Sequence, residues 1–382
     1  MAEHFSEPPK KKHARGESVF NALYPPLLTA VIGGAMIVIV GASLPHMTRK
    51  AVRGVPPVSQ TAVSQESTTE NSTSLSDLTT TTTATTAAPV PSESVNESLV
   101  IAKNAVLMKL TDAEPAIIFD RDADQKMYPA SMTKIMTLLT FRGLVSDDKL
   151  DETIQMDAGV IAEQQAKLAY VAGFQAGENC RIRDLVYAMM LPSGADAAVM
   201  LATYAAGSEA AFAEKMNEKA AAMGLTNTHF DNCTGLHEDT HTSSVCDIAK
   251  ILAETIKDPF CKEVMSTLKY TTAATEQHPQ GIELVSTTLS RLVGNELDSL
   301  PVPLHLAGGK TGFTNPAGQC LATWAENASG SIYLCVIGGS TTHEPLHAMG
   351  DILTLYQLTS MPAGEISRIQ PAAENLPDYV HY

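Results

Sequence analysis

Hydrophobic and polar positions sort the chain into stretches of different kind. Residues 1–26 are polar and carry Lys10, Lys11, Lys12 and Arg15. Residues 27–44 then run 18 positions without a charge, near the minimum for a membrane-spanning helix. A cleaved signal peptide has a shorter polar head and a shorter apolar core, and no clear small-x-small site precedes Pro45. An uncleaved transmembrane anchor is therefore expected over 27–44, with 1–26 as a cytoplasmic tail. Arg49, Lys50 and Arg53 follow the run, so flanking charge alone does not decide which side the rest of the chain faces. Residues 45–97 are rich in Ser, Thr and Pro, with threonine unbroken from Thr79 to Thr83. They offer little to bury, which predicts a disordered spacer that holds a domain off the membrane yet near it.

From residue 98 to 382 the pattern is globular. Ala105–Leu110 and Pro115–Asp120 read as two strands joined by a short polar turn. Pro129 suits the turn before a helix, and Met132, Ile135, Met136, Leu138 and Leu139 recur at roughly helical spacing after it. This predicts an amphipathic helix with Ser131 in its first turn. Further helices are expected over 183–191, 196–206, 209–223, ending at Gly224, and 247–256. The last third reads as a strand over 304–311, a hairpin of 319–325 with 332–338 about Asn327–Gly330, a turn at 342–345 and a helix over 347–357. Strands, then helices, then strands and a last helix predict an α/β (α+β) domain, an antiparallel sheet with helices packed on it.

Composition narrows the function classes. The 382 residues carry 26 Lys and Arg against 42 Asp and Glu, a formal charge of −16, and no basic patch offsets it. A general nucleic-acid binder is excluded on that ground. The six cysteines form no C-x-x-C pair, so no structural zinc site is expected. Cys320 and Cys335 flank the expected hairpin and either face each other or are two small buried strand residues. His237 and His241 have an H-x3-H spacing, but no third ligand is evident, and no metal or cofactor is expected.

The chemistry is carried by three stretches. Ser131 and Lys134 lie three apart, which on a helix places them on one face. A serine hydroxyl needs a base to take its proton, and a lysine kept partly neutral by its surroundings serves. Free N–H groups at the helix start favour negative charge developing nearby. Ser193-Gly194-Ala195-Asp196 follows 62 residues after Ser131, and Lys310-Thr311-Gly312 a further 117 after Ser193. Each alone is common. In this order they make the three-part set of penicillin-binding proteins and serine β-lactamases.

Residues 100–360 resemble the D-alanyl-D-alanine carboxypeptidases, the low-molecular-mass penicillin-binding proteins. The resemblance rests on Pro129–Thr137, Leu191–Ala198 and Gly308–Thr314, with Phe212–Asn217, Gly224–Phe230 and Cys233–His237 between them. It implies a penicillin-binding protein/serine β-lactamase-like transpeptidase fold with a helical subdomain. It also implies action on peptidoglycan stem peptides ending in D-Ala-D-Ala, binding of β-lactam antibiotics, and a catalytic domain outside the cytoplasm of a bacterial cell. In that scheme Ser131 attacks the carbonyl between the two D-alanines, Lys134 takes its proton, and Ser193 passes a proton to the leaving D-alanine. Lys310, Thr311 and Gly312 hold the substrate's terminal carboxylate, and the backbone N–H groups of Ser131 and Phe313 form the oxyanion hole. Asp196 is expected as a structural acceptor near a helix start.

Two departures from the family pattern matter. The second motif in many members is Ser-x-Asn, and here its third position is Ala195. Many members also carry a C-terminal β-rich domain with an amphipathic anchor, whereas here the N-terminal apolar run is expected to anchor the chain. Two other functions stay open. A class A-type β-lactamase needs a Glu-x-x-x-Asn pattern between Ser193 and Lys310; Glu214 to Asn217 is one residue too short. A non-catalytic wall-binding or regulatory protein is favoured by Ala195 alone.

Overall fold

The computed structural model describes residues 100–112, 115–292, 300, 303–340 and 345–360. The expected tail (1–26), anchor (27–44) and spacer (45–97) lie outside the described residues, as does the turn expected from residue 342. Among the described residues no helix is long and apolar enough to cross a membrane.

The chain opens with β1 (Asn104–Lys109) and β2 (Ala116–Arg121), the two strands the alternation predicts. A single 3-10 turn, Ala130–Met132, leads into α1 (Thr133–Leu144). The excursion that follows holds β3 (Thr153–Gln155), α2 (Ala158–Ala166), β4 (Asn179–Arg181), α3 (Ile182–Met190), α4 (Ala195–Ala206) and α5 (Glu209–Ala222). It continues through α6 (Val245–Thr255), α7 (Pro259–Ser266), β5 (Lys269–Thr271), β6 (Glu283–Val285) and α8 (Leu289–Leu292). Strands β7 (Leu304–Thr314), β8 (Gly318–Asn327) and β9 (Ile332–Ser340) and helix α9 (Pro345–Gln357) close it.

Five strands form one antiparallel sheet in the order β2-β1-β9-β8-β7. Their residues alternate between two cores. Val106, Cys320, Ala322, Trp324, Leu334 and Val336 face the helical half, which includes α1, α3, α4 and α6. Ala105, Leu107, Leu321, Ala325, Cys335 and Ile337 face α9. The period of two explains why β8 and β9 are apolar on both faces: helices cover both. It also settles the two cysteines. Cys320 and Cys335 project to opposite faces of the sheet, both are buried and both are free thiols, so the reading as small buried strand residues holds.

Helix α1 departs from the amphipathic expectation: every residue from Thr133 to Phe141 is buried. It lies at the centre of the helical half, packed by α3, α4, α5, α6 and α7. Ile135, Met136, Leu138 and Phe141 are wholly excluded from solvent. Each such side chain stabilises the fold by about 1.5–3 kcal/mol, which makes α1 a stiff support for whatever its first turn carries. Three other helices start on side-chain caps: Ser208 accepts from Ala211 N, Ser244 from Asp247 N, and Asp258, with Pro259 at the first helical position, from Cys261 N.

Candidate active site

The 3-10 turn sets the nucleophile. Ala130 takes φ +46°, a left-handed conformation that L-residues adopt only under constraint. The constraint comes from below. Gly235, at φ +82°, lies directly under the Ala130 carbonyl, where any side chain would overlap it. Ser131 thus sits in the turn just before α1, with Lys134 in the first turn of α1 itself.

Lys134 Nζ donates to Ser131 Oγ at 3.2 Å and to the Thr234 carbonyl at 2.7 Å. Only 2% of Lys134 is exposed. Burial disfavours the ammonium and lowers its pKa to about 8, against partial opposition from Cys233, Asp196 and Glu209. About a tenth of the lysine is then neutral at pH 7. The Thr234 carbonyl aims the nitrogen at the serine, so the pair has both the geometry and the protonation of a nucleophile and its base.

Ser193 enters from the turn between α3 and α4, again with strained backbone, φ +73°. The turn is braced on both sides: Gly194 N donates to the Ala188 carbonyl (2.9 Å) and Ala195 N to the Tyr170 carbonyl (2.8 Å). Such a conformation persists only where its surroundings over-determine it, and it clusters at functional sites. Lys310 Nζ donates to Ser193 Oγ at 3.0 Å and to the Thr311 carbonyl at 3.0 Å. Lys310 is wholly buried, and its pKa is pushed well below the ordinary lysine value by that burial and then by repulsion from Lys134 and Arg291. Thr311 Oγ1 is hydrogen-bonded to Thr287 Oγ1 at 2.8 Å. Gly312 presses the edge of β7 against the nucleophile: a Cβ there would lie 3.0 Å from the Pro129 carbonyl oxygen and 3.1 Å from Ser131 N. Phe313 follows and is 44% exposed.

The structure therefore joins Ser131 to Lys134 and Ser193 to Lys310, and brings Gly312 against Ser131. Asp196 is the structural acceptor expected of it: it is buried and takes a hydrogen bond from Ala172 N at 3.0 Å. His237 and His241 do not form a metal pair. His241 is bonded to Thr133 and to Asp231 N, while His237 packs edge-on against the Tyr128 ring. Sequence reasoning missed Thr287, which carries no local signal. It also missed Thr234 as the acceptor for Lys134, although Cys233–His237 was singled out as a motif. Asn232 explains that motif: its Oδ1 accepts from Thr234 N, Thr234 Oγ1 and Gly235 N, folding the segment into a tight loop under Ser131.

A serine with a buried lysine base, facing a second serine–lysine pair on a sheet edge, defines the class of serine acyl-transfer proteins that includes penicillin-binding proteins. Residues 91–341 match the family model for D-alanyl-D-alanine carboxypeptidase, and the chain belongs to that family. It is 32% identical over 247 residues to the D-alanyl-D-alanine carboxypeptidase DacF of Bacillus subtilis, covering 64% of this chain and 59% of that protein. It is 30% identical over 230 residues to DacA of Escherichia coli, covering 59% of this chain and 53% of that protein. The match thus spans somewhat more than half the length of these curated relatives. Among solved structures, a Streptomyces DD-transpeptidase superposes with a TM-score of 0.60 at 25% identity, over 68% of this chain and 98% of its own. A Mycobacterium tuberculosis D-alanyl-D-alanine carboxypeptidase shares the fold, with a TM-score of 0.59 at 21% identity, over 72% of this chain and 96% of its own.

Proposed function

We propose that the chain is a serine-type D-alanyl-D-alanine carboxypeptidase acting on peptidoglycan stem peptides, and that β-lactams acylate the same serine. The observation that carries this reading is the Ser131–Lys134–Thr234 unit, with a lysine whose pKa stands at about 8. Ser131 Oγ attacks the carbonyl carbon between the two terminal D-alanines while Lys134 takes the hydroxyl proton. The negative charge that develops on the carbonyl oxygen is met by the N–H groups of Ser131 and Phe313. The C–N bond then breaks, and the proton taken up by Lys134 is passed by way of Ser193, held by Lys310, to the departing D-alanine amine. Lys310, Thr311 and Gly312 receive the terminal carboxylate, for which a cation and a hydroxyl are apt donors. Water adds to the ester, releasing the shortened peptide and restoring Ser131.

Residues 27–44 are proposed as a single-pass anchor in the bacterial cell membrane, with 1–26 cytoplasmic, 45–97 as a spacer and 98–382 as the extracytoplasmic catalytic domain. Their composition supports this, and protease access to the domain in intact spheroplasts tests it. The family supports the side of the membrane assigned to the domain.

A second reading, a wall-binding or regulatory protein with slow turnover, is favoured by Ala195, whose side chain offers no amide to the cleft. The β-lactamase reading loses ground. Asn217, the nearest approach to the required pattern, spends its amide on both backbone groups of Phe230. The test is to incubate the full chain in detergent with benzylpenicillin and with a peptide ending in D-Ala-D-Ala, using Ser131→Ala as control. A penicilloyl mass on Ser131 together with released D-alanine is the expected result. An adduct without D-alanine release establishes the second reading, and rapid penicillin hydrolysis the β-lactamase. No adduct overturns the serine mechanism.

A further inference from the structure

His241 is a wholly internal histidine that the mechanism does not use. Its two ring nitrogens have different partners. The backbone N–H of Asp231 points at Nδ1 at 3.1 Å, so Nδ1 must accept and carries no proton. Nε2 lies 2.8 Å from Thr133 Oγ1, so the remaining ring proton sits on Nε2 and is donated to that hydroxyl. The neutral Nε2–H form is thereby fixed by geometry. Burial pushes the ring's pKa down to about 4, in accord with a permanently neutral ring.

Both partners belong to the catalytic apparatus. Thr133 is wholly buried and stands between Ser131 and Lys134 at the start of α1. Asp231 begins the loop that carries Asn232, Thr234 and Gly235. From this loop come the carbonyl that aims Lys134 and the glycine beneath Ala130. The far end of the loop is His241 itself, whose N–H donates to the Glu238 carbonyl. The imidazole thus closes the loop and bolts it to the first turn of α1.

We propose that His241 is a positioning residue for acyl transfer: its Nε2–H clamps Thr133, and its Nδ1 ties the Asp231–His241 loop, so that Ser131 Oγ, Lys134 Nζ and the Thr234 carbonyl are held in register. The clamp matters because the nucleophile turn is strained and the base has to stay within a hydrogen bond of the serine. A shift of about 1 Å at such a pair costs up to about 100-fold in rate. This proposal rests on Ser131 and Lys134 acting as described above.

The two bonds can be removed separately. In His241→Gln the amide N–H reaches where Nε2–H was but offers Asp231 nothing at the Nδ1 position. In His241→Asn the amide oxygen stands near the Nδ1 position but the side chain falls short of Thr133. Thr133→Val removes the hydroxyl alone. Each variant, made in the full chain, is assayed for the rate of benzylpenicillin acylation at saturation, for the half-saturating concentration, and for thermal unfolding. Expected are a loss of about tenfold or more at saturation in His241→Asn and Thr133→Val, little change in half-saturation, and a smaller loss in His241→Gln. The double variant His241→Asn/Thr133→Val should lose little more than either single one, because both remove the same bond. Acylation in His241→Asn within twofold of the parent overturns the clamp, as do additive losses in the double variant. Nitrogen shifts of the labelled ring give a readout independent of folding effects: the Nε2–H tautomer at pH 7 is expected, and an Nδ1–H tautomer or an imidazolium overturns the assignment. A parent chain that forms no penicilloyl adduct fails the serine mechanism instead, an outcome distinct from a parent that acylates with variants that match it.

Discussion

Gly235→Ala gives a sharp test of how the nucleophile turn is supported. At φ +82° an alanine pays for the left-handed backbone, about 1 kcal/mol. Its Cβ would also overlap the Ala130 carbonyl and stand 3.0 Å from Ser131 N, against backbone that has no flexible end to yield. Overpacking of that kind costs a further 1–3 kcal/mol or so, for a total of about 2–4 kcal/mol. Gly207 supplies the control. Its φ is +84°, nearly the same, and a Cβ there meets nothing within 4 Å. The gain that alanine brings by restricting the unfolded chain is common to both variants and cancels in the comparison. Gly207→Ala should lose about 1 kcal/mol in urea unfolding and keep its penicillin acylation rate. Gly235→Ala should lose more stability and, with Ser131 N displaced, about 100-fold in acylation. Equal stability loss in the two variants, with acylation intact in Gly235→Ala, would refute the idea that contact under Ala130 holds the turn.

Two further outcomes follow from buried ionisable groups. If neutral Lys134 is the base, the acylation rate should fall about tenfold per pH unit below about 8 and level off above it; a rate constant within twofold from pH 6 to 8 would exclude that role. Asp351, whose carboxylate takes hydrogen bonds from Ile101 N (2.8 Å) and Ala102 N (2.9 Å), has its pKa raised by burial from 3.8 to about 6. Folding therefore favours its protonated form, and stability drops as pH rises from about 4 to about 6, by about 3 kcal/mol. Asp351→Asn lacks that loss, so its stability relative to the parent should climb across the same window in urea titrations. A flat difference would show that the carboxyl titrates as an exposed one.

The sequence made visible what is local. β1, β2, α3, α4, α5 and α6 appear within one or two residues of their bounds because each carries a full period of apolar positions. α2 and α7 escaped the periodicity. α2 buries little beyond Gln164, and α7 is a short helix whose clearest mark is the Asp258-Pro259 start. The sheet order was beyond reach, since β1 is completed by β9 rather than by a chain neighbour. The face of Cys335 depended on a register, Thr323 opposite Cys335, that a bulge near Gln319 resets for Cys320. At the site, Ser131 and Lys134 were legible from their spacing. Thr234, Thr287 and His241 act there through contacts made across 24 to 108 positions of chain. His241 has the spacing of a ligand but the surroundings of a strut, bonded to Thr133 and to Asp231 N, and only those surroundings are invisible in the sequence.

The placement of β9 between β1 and β8 has a consequence for biosynthesis. Lys109 lies opposite Tyr333, so the first strand waits for more than 200 further residues before its inner edge is satisfied. Loop closure over such a span is slow relative to local helix formation. Until β9 is made, β1 and β8 each present an open edge to any other strand at hand, a hazard for a nascent chain. The helical half, whose helices α1 to α8 all precede β7 in the chain, can assemble meanwhile around α1. Ser131 and Lys134 then exist in place while Lys310 is not yet docked. Covalent labelling by penicillin would accordingly report the completed sheet, and a pulse-labelled chain should become reactive only after its last strand has joined.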